Sequence, residues 1–278
     1  MLFLLLAILS SAMVSIVMRI SSDKVSANLS MLAANYLICA FLGAAYAGFD
    51  LWLPDVSGFF LTVGLGIISG ILYLAGFVML QRSVQKNGVV LSSVFMKLGL
   101  LVPIVMSLLV FKEVPTPAQI AGFCIAVGAI ILINLKKDSA RGNFGMGLIL
   151  LLLLGGGCDA MSKVFEMIGP AALSEQFLFY TFLMAFALCM VLVIRSAEHP
   201  GLRDLLYGAL IGIPNFFSAK FLLLALTQLP AVVVYPSYSV ATLLLITLVG
   251  VAVFRERLSK LQWGAMGAIV AALILLNI

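Results

Sequence analysis

The sequence predicts an all-α integral membrane protein of ten transmembrane helices, arranged as two inverted five-helix repeats. Three observations carry that prediction. First, 64% of the 278 residues are hydrophobic and 10% are charged, where soluble domains carry about 25% charged residues. The mean hydropathy is +1.24. Second, the apolar runs recur at the length of a membrane span, about 20 residues for a hydrocarbon core of about 30 Å. Third, residues 110–134, VFKEVPTPAQIAGFCIAVGAIILIN, return without a gap 143 positions later as residues 253–277, VFRERLSKLQWGAMGAIVAALILLN. Nine of the 25 aligned positions are identical. Five of the nine are aliphatic and say little in such a composition, but the matches Phe111/Phe254, Glu113/Glu256, Gln119/Gln262 and Asn134/Asn277 outrun shared hydrophobicity.

Taken in order, the spans fall at 2–18, 29–48, 58–80, 88–111, 118–135, 144–166, 175–194, 205–226, 231–254 and 261–277. No basic residue precedes the first and further spans follow it, so it reads as a transmembrane helix and not a cleaved signal peptide, with Met1 at the mature N-terminus. The next four are bounded by Lys24, Asp50, Arg82, Lys86, Lys112 and Lys136, and only Lys97 lies well inside one of them. The run 221–254 is free of charge and long enough for more than one span, and Gln228 with Pro230 marks its break. Unpaired backbone amides are not tolerated in lipid, so these runs are helices. The loops between them are short and leave no room for a soluble domain.

The charges between spans give an orientation. The loops after the odd-numbered spans hold Arg19 and Lys24, Arg82 and Lys86, Lys136, Lys137 and Arg141, Arg195 and Arg203, and Arg255, Arg257 and Lys260. The opposite side has Lys112 and Lys163, a bias of twelve against two. The positive-inside rule puts the twelve in the cytoplasm and both termini outside, in a multi-pass protein of the plasma (bacterial inner) membrane. Residues 1–137 form the first repeat and 142–278 the second. Five spans per repeat, an odd number, make the copies insert upside down relative to each other. The loops have diverged to suit: Arg82 and Lys86 match Ala225 and Leu229, whereas Val114 and Pro117 match Arg257 and Lys260.

Two five-helix repeats, each with a short acidic turn before its last helix (Phe111-Lys112-Glu113 then Gln119; Phe254-Arg255-Glu256 then Gln262), resemble the EamA-type members of the drug/metabolite transporter superfamily. The resemblance covers essentially the whole chain. It implies spans five and ten at the periphery and a cavity lined by the others, serving alternating access. The superfamily is usually described with both termini cytoplasmic, so the charge count here departs from that pattern.

An ionisable side chain within a span costs at least ~2.5–3.5 kcal/mol at mid-helix and is by default a functional candidate. Lys97 lies roughly 13–15 Å into the fourth span at 1.5 Å per residue. Lys220 lies nearer an end of the eighth, where a snorkelling side chain can reach the interface. Asp159 is the embedded carboxylate that a proton-coupled carrier needs. With Lys163 it forms an i, i+4 pair, so the two can also simply neutralise each other on one helix face, leaving Lys163 as a helix-end cation. Tyr235, Ser237 and Tyr238 surround Pro236 in a polar segment of the ninth span, and Asn215 follows Pro214 in the eighth. Proline removes a backbone hydrogen bond, and interrupted helices mark transporter binding sites. Tyr73 adds a polar group in the third span, as Asn35 and Tyr36 do in the second. The run Gly155-Gly156-Gly157 reads as a place of close helix approach.

The function expected is secondary active transport of a small polar or amphipathic metabolite. Lys97, Asn215, Lys220, Tyr235, Ser237, Tyr238 and Tyr73 would contact the substrate, and Asp159 would couple the proton. Two embedded lysines against one aspartate favour a carboxylate, as in an amino acid or organic acid. The alternatives are a flippase for a lipid-linked intermediate and a non-transporting membrane partner protein. An enzyme is not expected: no Gly-rich loop followed by Lys-Ser/Thr offers an ATP site. No cofactor and no metal are implied, since Cys39, Cys124, Cys158 and Cys189 lie in apolar runs without a CxxC pair and His199 is the one histidine. The basic residues sit between spans, so the expected partners are a small-molecule substrate and the lipid bilayer, not nucleic acid. Small residues on the fifth and tenth spans, Gly122 with Ala126 and Gly264 with Ala268 and Ala272, would permit close packing or a homodimer.

Overall fold

A computed structural model describes residues 1–22, 24–87, 89–134, 146–196, 200–253 and 260–278. Phe254, Arg255, Glu256, Arg257, Lys136, Lys137, Arg141 and His199, all used above, lie outside those residues. Eleven α-helices occur among the described residues: α1 (Leu2–Ser21), α2 (Asn28–Tyr46), α3 (Phe59–Asn87), α4 (Val89–Leu98), α5 (Leu101–Leu109), α6 (Pro117–Asn134), α7 (Met146–Ile168), α8 (Ser174–Arg195), α9 (Leu202–Leu226), α10 (Ala231–Ala252) and α11 (Lys260–Leu276). With α4 and α5 as halves of one span they make ten helical spans, and seven are individually long and apolar enough to cross a membrane. Leu5, Phe41, Ile149, Leu210 and Ile274 are each more than half exposed. Such an apolar surface suits lipid and not water.

The expected fourth span, 88–111, is two helices separated by Gly99 and Leu100. Pro103 has no N–H to give the Gly99 carbonyl, which instead accepts from Val102 N at 2.9 Å, so the ladder tightens and the helix restarts. Conversely, the helices expected to be interrupted are continuous: Pro236 lies inside α10 and Pro214 inside α9. Residues Ala231 through Ser237 are all buried, and neighbours packed around a proline-bearing turn hold its helical path. The break between α9 and α10 falls at Pro230, as expected.

The chain divides into two compact units, each drawn from both halves of the sequence: Met1–Leu74 with Val164–Ala225, and Ala75–Lys163 with Leu226–Ile278. In the first unit α2 lies along α8. A Cβ added to Gly43 would come within 3.0 Å of the Phe179 Cα, so the contact is made backbone to backbone. On α9, Gly208 and Gly212 form a small-xxx-small pair that admits α2 in the same way. A Cβ at Gly212 would meet the Asn35 carbonyl at 2.8 Å.

In the second unit α6 and α11 pack along each other, with Ala126, Ile130, Ile269 and Ala272 fully buried. The repeated stretch builds this pairing. Thr116 Oγ1 accepts from Gln119 N at 3.2 Å and Gln119 Oε1 accepts from Thr116 N at 3.0 Å. That capping box, with Pro117 at the first helical position, starts α6 and gives the matched glutamine a structural role.

Candidate functional site

The second unit gathers five of the residues singled out above. Lys97 is in the last turn of α4, just before the Gly99–Leu100 break, where the helix C-terminal carbonyls favour a cation. A Cβ at Gly99 would stand 2.7 Å from Gly156 N, so α4 and α7 touch through two glycine backbones. Asp159, three residues on, continues the same face of α7. Lys97 and Asp159 thus lie on two helices in contact, and both are half-buried. Tyr235, 1% exposed, donates its phenol O–H to the Asp159 backbone carbonyl at 2.7 Å and ties α10 to α7 at the same level. Ser237, two residues on and so on the other side of α10, is buried, and its Oγ has no hydrogen-bond partner among the described residues. Tyr238 is half-buried.

One turn further along α7, Lys163 is not a solvent-facing helix-end cation. Its residue is 2% exposed and its ammonium pairs with Glu113 Oε1 at 2.7 Å. The other carboxylate oxygen, Oε2, accepts from Ala231 N at 2.9 Å, at the start of α10. Glu113 stands in the turn after α5, where Lys112 takes a left-handed φ of 56°. Partial burial pushes the Glu113 carboxyl up, but the hydrogen bond and charge of Lys163 and the Ala231 N–H hold it below its ordinary 4.5. The acidic turn therefore joins three elements through one carboxylate. Sequence reasoning read Glu113 as a marker of the repeat, because its partners lie far away along the chain.

The first unit holds the other three residues. Asn215, one turn beyond Gly212 on α9, donates to Asn35 Oδ1 at 3.1 Å. Tyr73 packs edge-on to Tyr36, with ring centroids 6.5 Å apart, and against Phe182 at 5.7 Å. Lys220 does not extend to solvent. Its ammonium pairs with Glu175 Oε1 at 2.7 Å and lies 3.4 Å above the Tyr46 ring. Glu175 and Tyr46 were not anticipated. An acid in the first turn of a span looks like an ordinary helix start, and Tyr46 like an interfacial anchor.

Among the described residues no group of three or more His, Cys, Asp or Glu could hold a metal ion. Cys39, Cys124, Cys158 and Cys189 are free thiols. Between α5 and α7 the second unit carries a groove of about 440 Å³, lined entirely by apolar residues such as Leu101, Val105, Leu109, Leu152 and Leu153.

Comparison with known proteins gives three findings. The model of the EamA-like transporter family matches residues 1–135. A Haemophilus influenzae protein described only as uncharacterized is 25% identical over 274 residues, covering 94% of this chain and 92% of its own. A solved crystal structure superposes with a TM-score of 0.72 at 18% identity, covering 99% of this chain and 94% of that one, which establishes a shared fold.

Proposed function

We propose that this chain, whose residues 1–135 match the model of the EamA-like transporter family, is a member of that family and a secondary active transporter of a small polar metabolite. It works by alternating access to a cavity between the two inverted repeats, residues 1–137 and 142–278. The observation that carries this reading is the approach of α4 to α7 at Gly99 and Gly156, which brings together, at a helix break, the two helices that bear Lys97 and Asp159, opposite ionisable groups in the spans. Charges inside spans are retained where they serve a substrate or ion path.

The partners of the lysines bear on the substrate. Lys163 pairs with Glu113 and Lys220 with Glu175, which leaves Lys97 and Asp159 as one charge of each sign and removes the excess of positive charge that favoured a carboxylate. A zwitterion suits a neutral site, and an amino acid is the substrate class proposed. Lys97 takes its carboxylate and Asp159 carries the coupling proton, while Ser237 and Tyr238 supply polar contacts. Tyr235 positions Asp159 through the backbone, and Asn215, Tyr73 and Lys220 are further proposed substrate contacts. The protein resides in a bacterial inner membrane with its basic loops cytoplasmic and both termini outside, and a homodimer would form through α6 and α11. The test is flux: wild-type proteoliposomes should accumulate at least one radiolabelled amino acid from a panel. Transport of none, with organic acids and cations carried instead, would refute the substrate class.

A flippase for a lipid-linked intermediate has one observation in its favour, the wholly apolar groove between α5 and α7, which has the character a lipid tail requires. Scrambling of a lipid-linked substrate by wild-type proteoliposomes, without amino-acid flux, would establish that reading instead.

A further inference from the structure

Lys220 sits in a box that recognises its ammonium by two independent means. Glu175 Oε1 takes a charge-assisted hydrogen bond at 2.7 Å. The Tyr46 ring lies 3.4 Å beneath the nitrogen, with the Phe216 ring 6.0 Å away. Tyr46 and Phe216 are themselves stacked, centroids 5.7 Å apart, so the aromatic wall is built independently of the lysine. A cation over an aromatic face beside a carboxylate is the arrangement by which proteins hold organic ammonium groups.

The box is short of donors. Glu175 Oε2 is buried and has no hydrogen-bond partner among the described residues, and neither has Gln176 Oε1, next along α8. The Gln176 amide nitrogen is already committed to the Asp50 carbonyl at 3.0 Å, which fixes the amide and leaves its oxygen over. An ion pair serving stability alone would have no reason to leave half its carboxylate unused at a buried position. The site is also reachable, since Tyr46 is 51% exposed and Glu175 is not sealed off.

We propose that Tyr46, Phe216 and Glu175 form a binding seat for the ammonium group of a primary amine, in which Lys220 is the resident occupant and gives way to the ligand. A free primary ammonium carries the same three N–H donors as the lysine but is not tethered to α9, so it can shift to span both oxygens of Glu175 where Lys220 reaches one. The proposal rests on reading this chain as a carrier of amino compounds, but its test reads binding and not flux, so the two can fail separately.

The test is chemical rescue of purified Lys220→Ala in detergent, with propylammonium as the probe. The variant should melt below wild type, and millimolar propylammonium should restore about half or more of the lost Tm by binding the folded state. Sodium propionate should restore none, and tetramethylammonium, which has no N–H, should restore less. In Glu175→Gln/Lys220→Ala the rescue should vanish. If Lys220→Ala accumulates folded only when purified in propylammonium, that too supports the seat. Rescue that is absent, or equal in the double variant, would overturn it.

Discussion

Glu113 holds the Lys163 ammonium on one oxygen and the first N–H of α10 on the other. Removing one partner of a buried pair leaves the other charge uncompensated, which costs about 3–5 kcal/mol. Glu113→Gln should therefore lower the thermal midpoint in detergent sharply. Adding Lys163→Met should recover much of the loss, because the orphaned charge is then gone. The pH dependence has a definite sign. The folded-state pKa of Glu113 lies below its ordinary 4.5, so its contribution is fully present above that value and is lost as pH falls through the folded pKa. Wild type should lose stability on acidification below about pH 4.5 by more than Glu113→Gln does, as thermal melts across that range would measure. The sequence displayed Glu113 clearly, through its match with Glu256, but not its work. Lys163 is 50 residues away and Ala231 farther still, and a one-dimensional repeat carries no information on which side chains meet.

Among the helices, most boundaries were legible because charges and prolines punctuate an otherwise apolar chain. Pro230 ended one span and began the next, and Gly155-Gly156-Gly157 marked a close approach that Gly156 makes against Gly99. The break inside the fourth span was not legible. Gly99 and Pro103 lie in a charge-free stretch, and either residue is common in membrane helices. Pro236 and Pro214 misled in the other direction, since packing around α10 and α9 keeps both helices continuous. The glycine contact is the more consequential feature, because it brings the end of α4, and so Lys97, to the face of α7 that bears Asp159. Gly99→Val would drive a branched side chain into Gly156 N, 2.7 Å from the ideal Cβ position. Overpacking of this kind costs about 1–3 kcal/mol. The variant should melt lower than wild type and also lose flux, whereas Gly64→Ala, where an added Cβ meets nothing, should change neither.

At the scale of the molecule, composition alone required a multi-pass helical membrane protein, and the 143-residue repeat pointed to the fold that the comparisons bear out. The repeat itself proved to be scaffold, a capped turn and a packed helix pair. The candidate chemistry lies in the helices around it, and their charges looked unbalanced only because Glu113 and Glu175 stood near span ends. The orientation proposed from the basic loops is open to a direct check: a periplasm-active reporter fused after Ile278 should be active, and activity of a cytoplasmic reporter there would invert every loop. The central claim is that the chain transports its substrate through Lys97 paired with Asp159. The most direct measurement is uptake of a transported amino acid by proteoliposomes holding wild type or Lys97→Gln at matched amounts of folded protein. The account predicts that the variant melts below wild type, because Asp159 is left without its cation, and that the protein remaining folded does not transport. Wild-type flux through Lys97→Gln would contradict it.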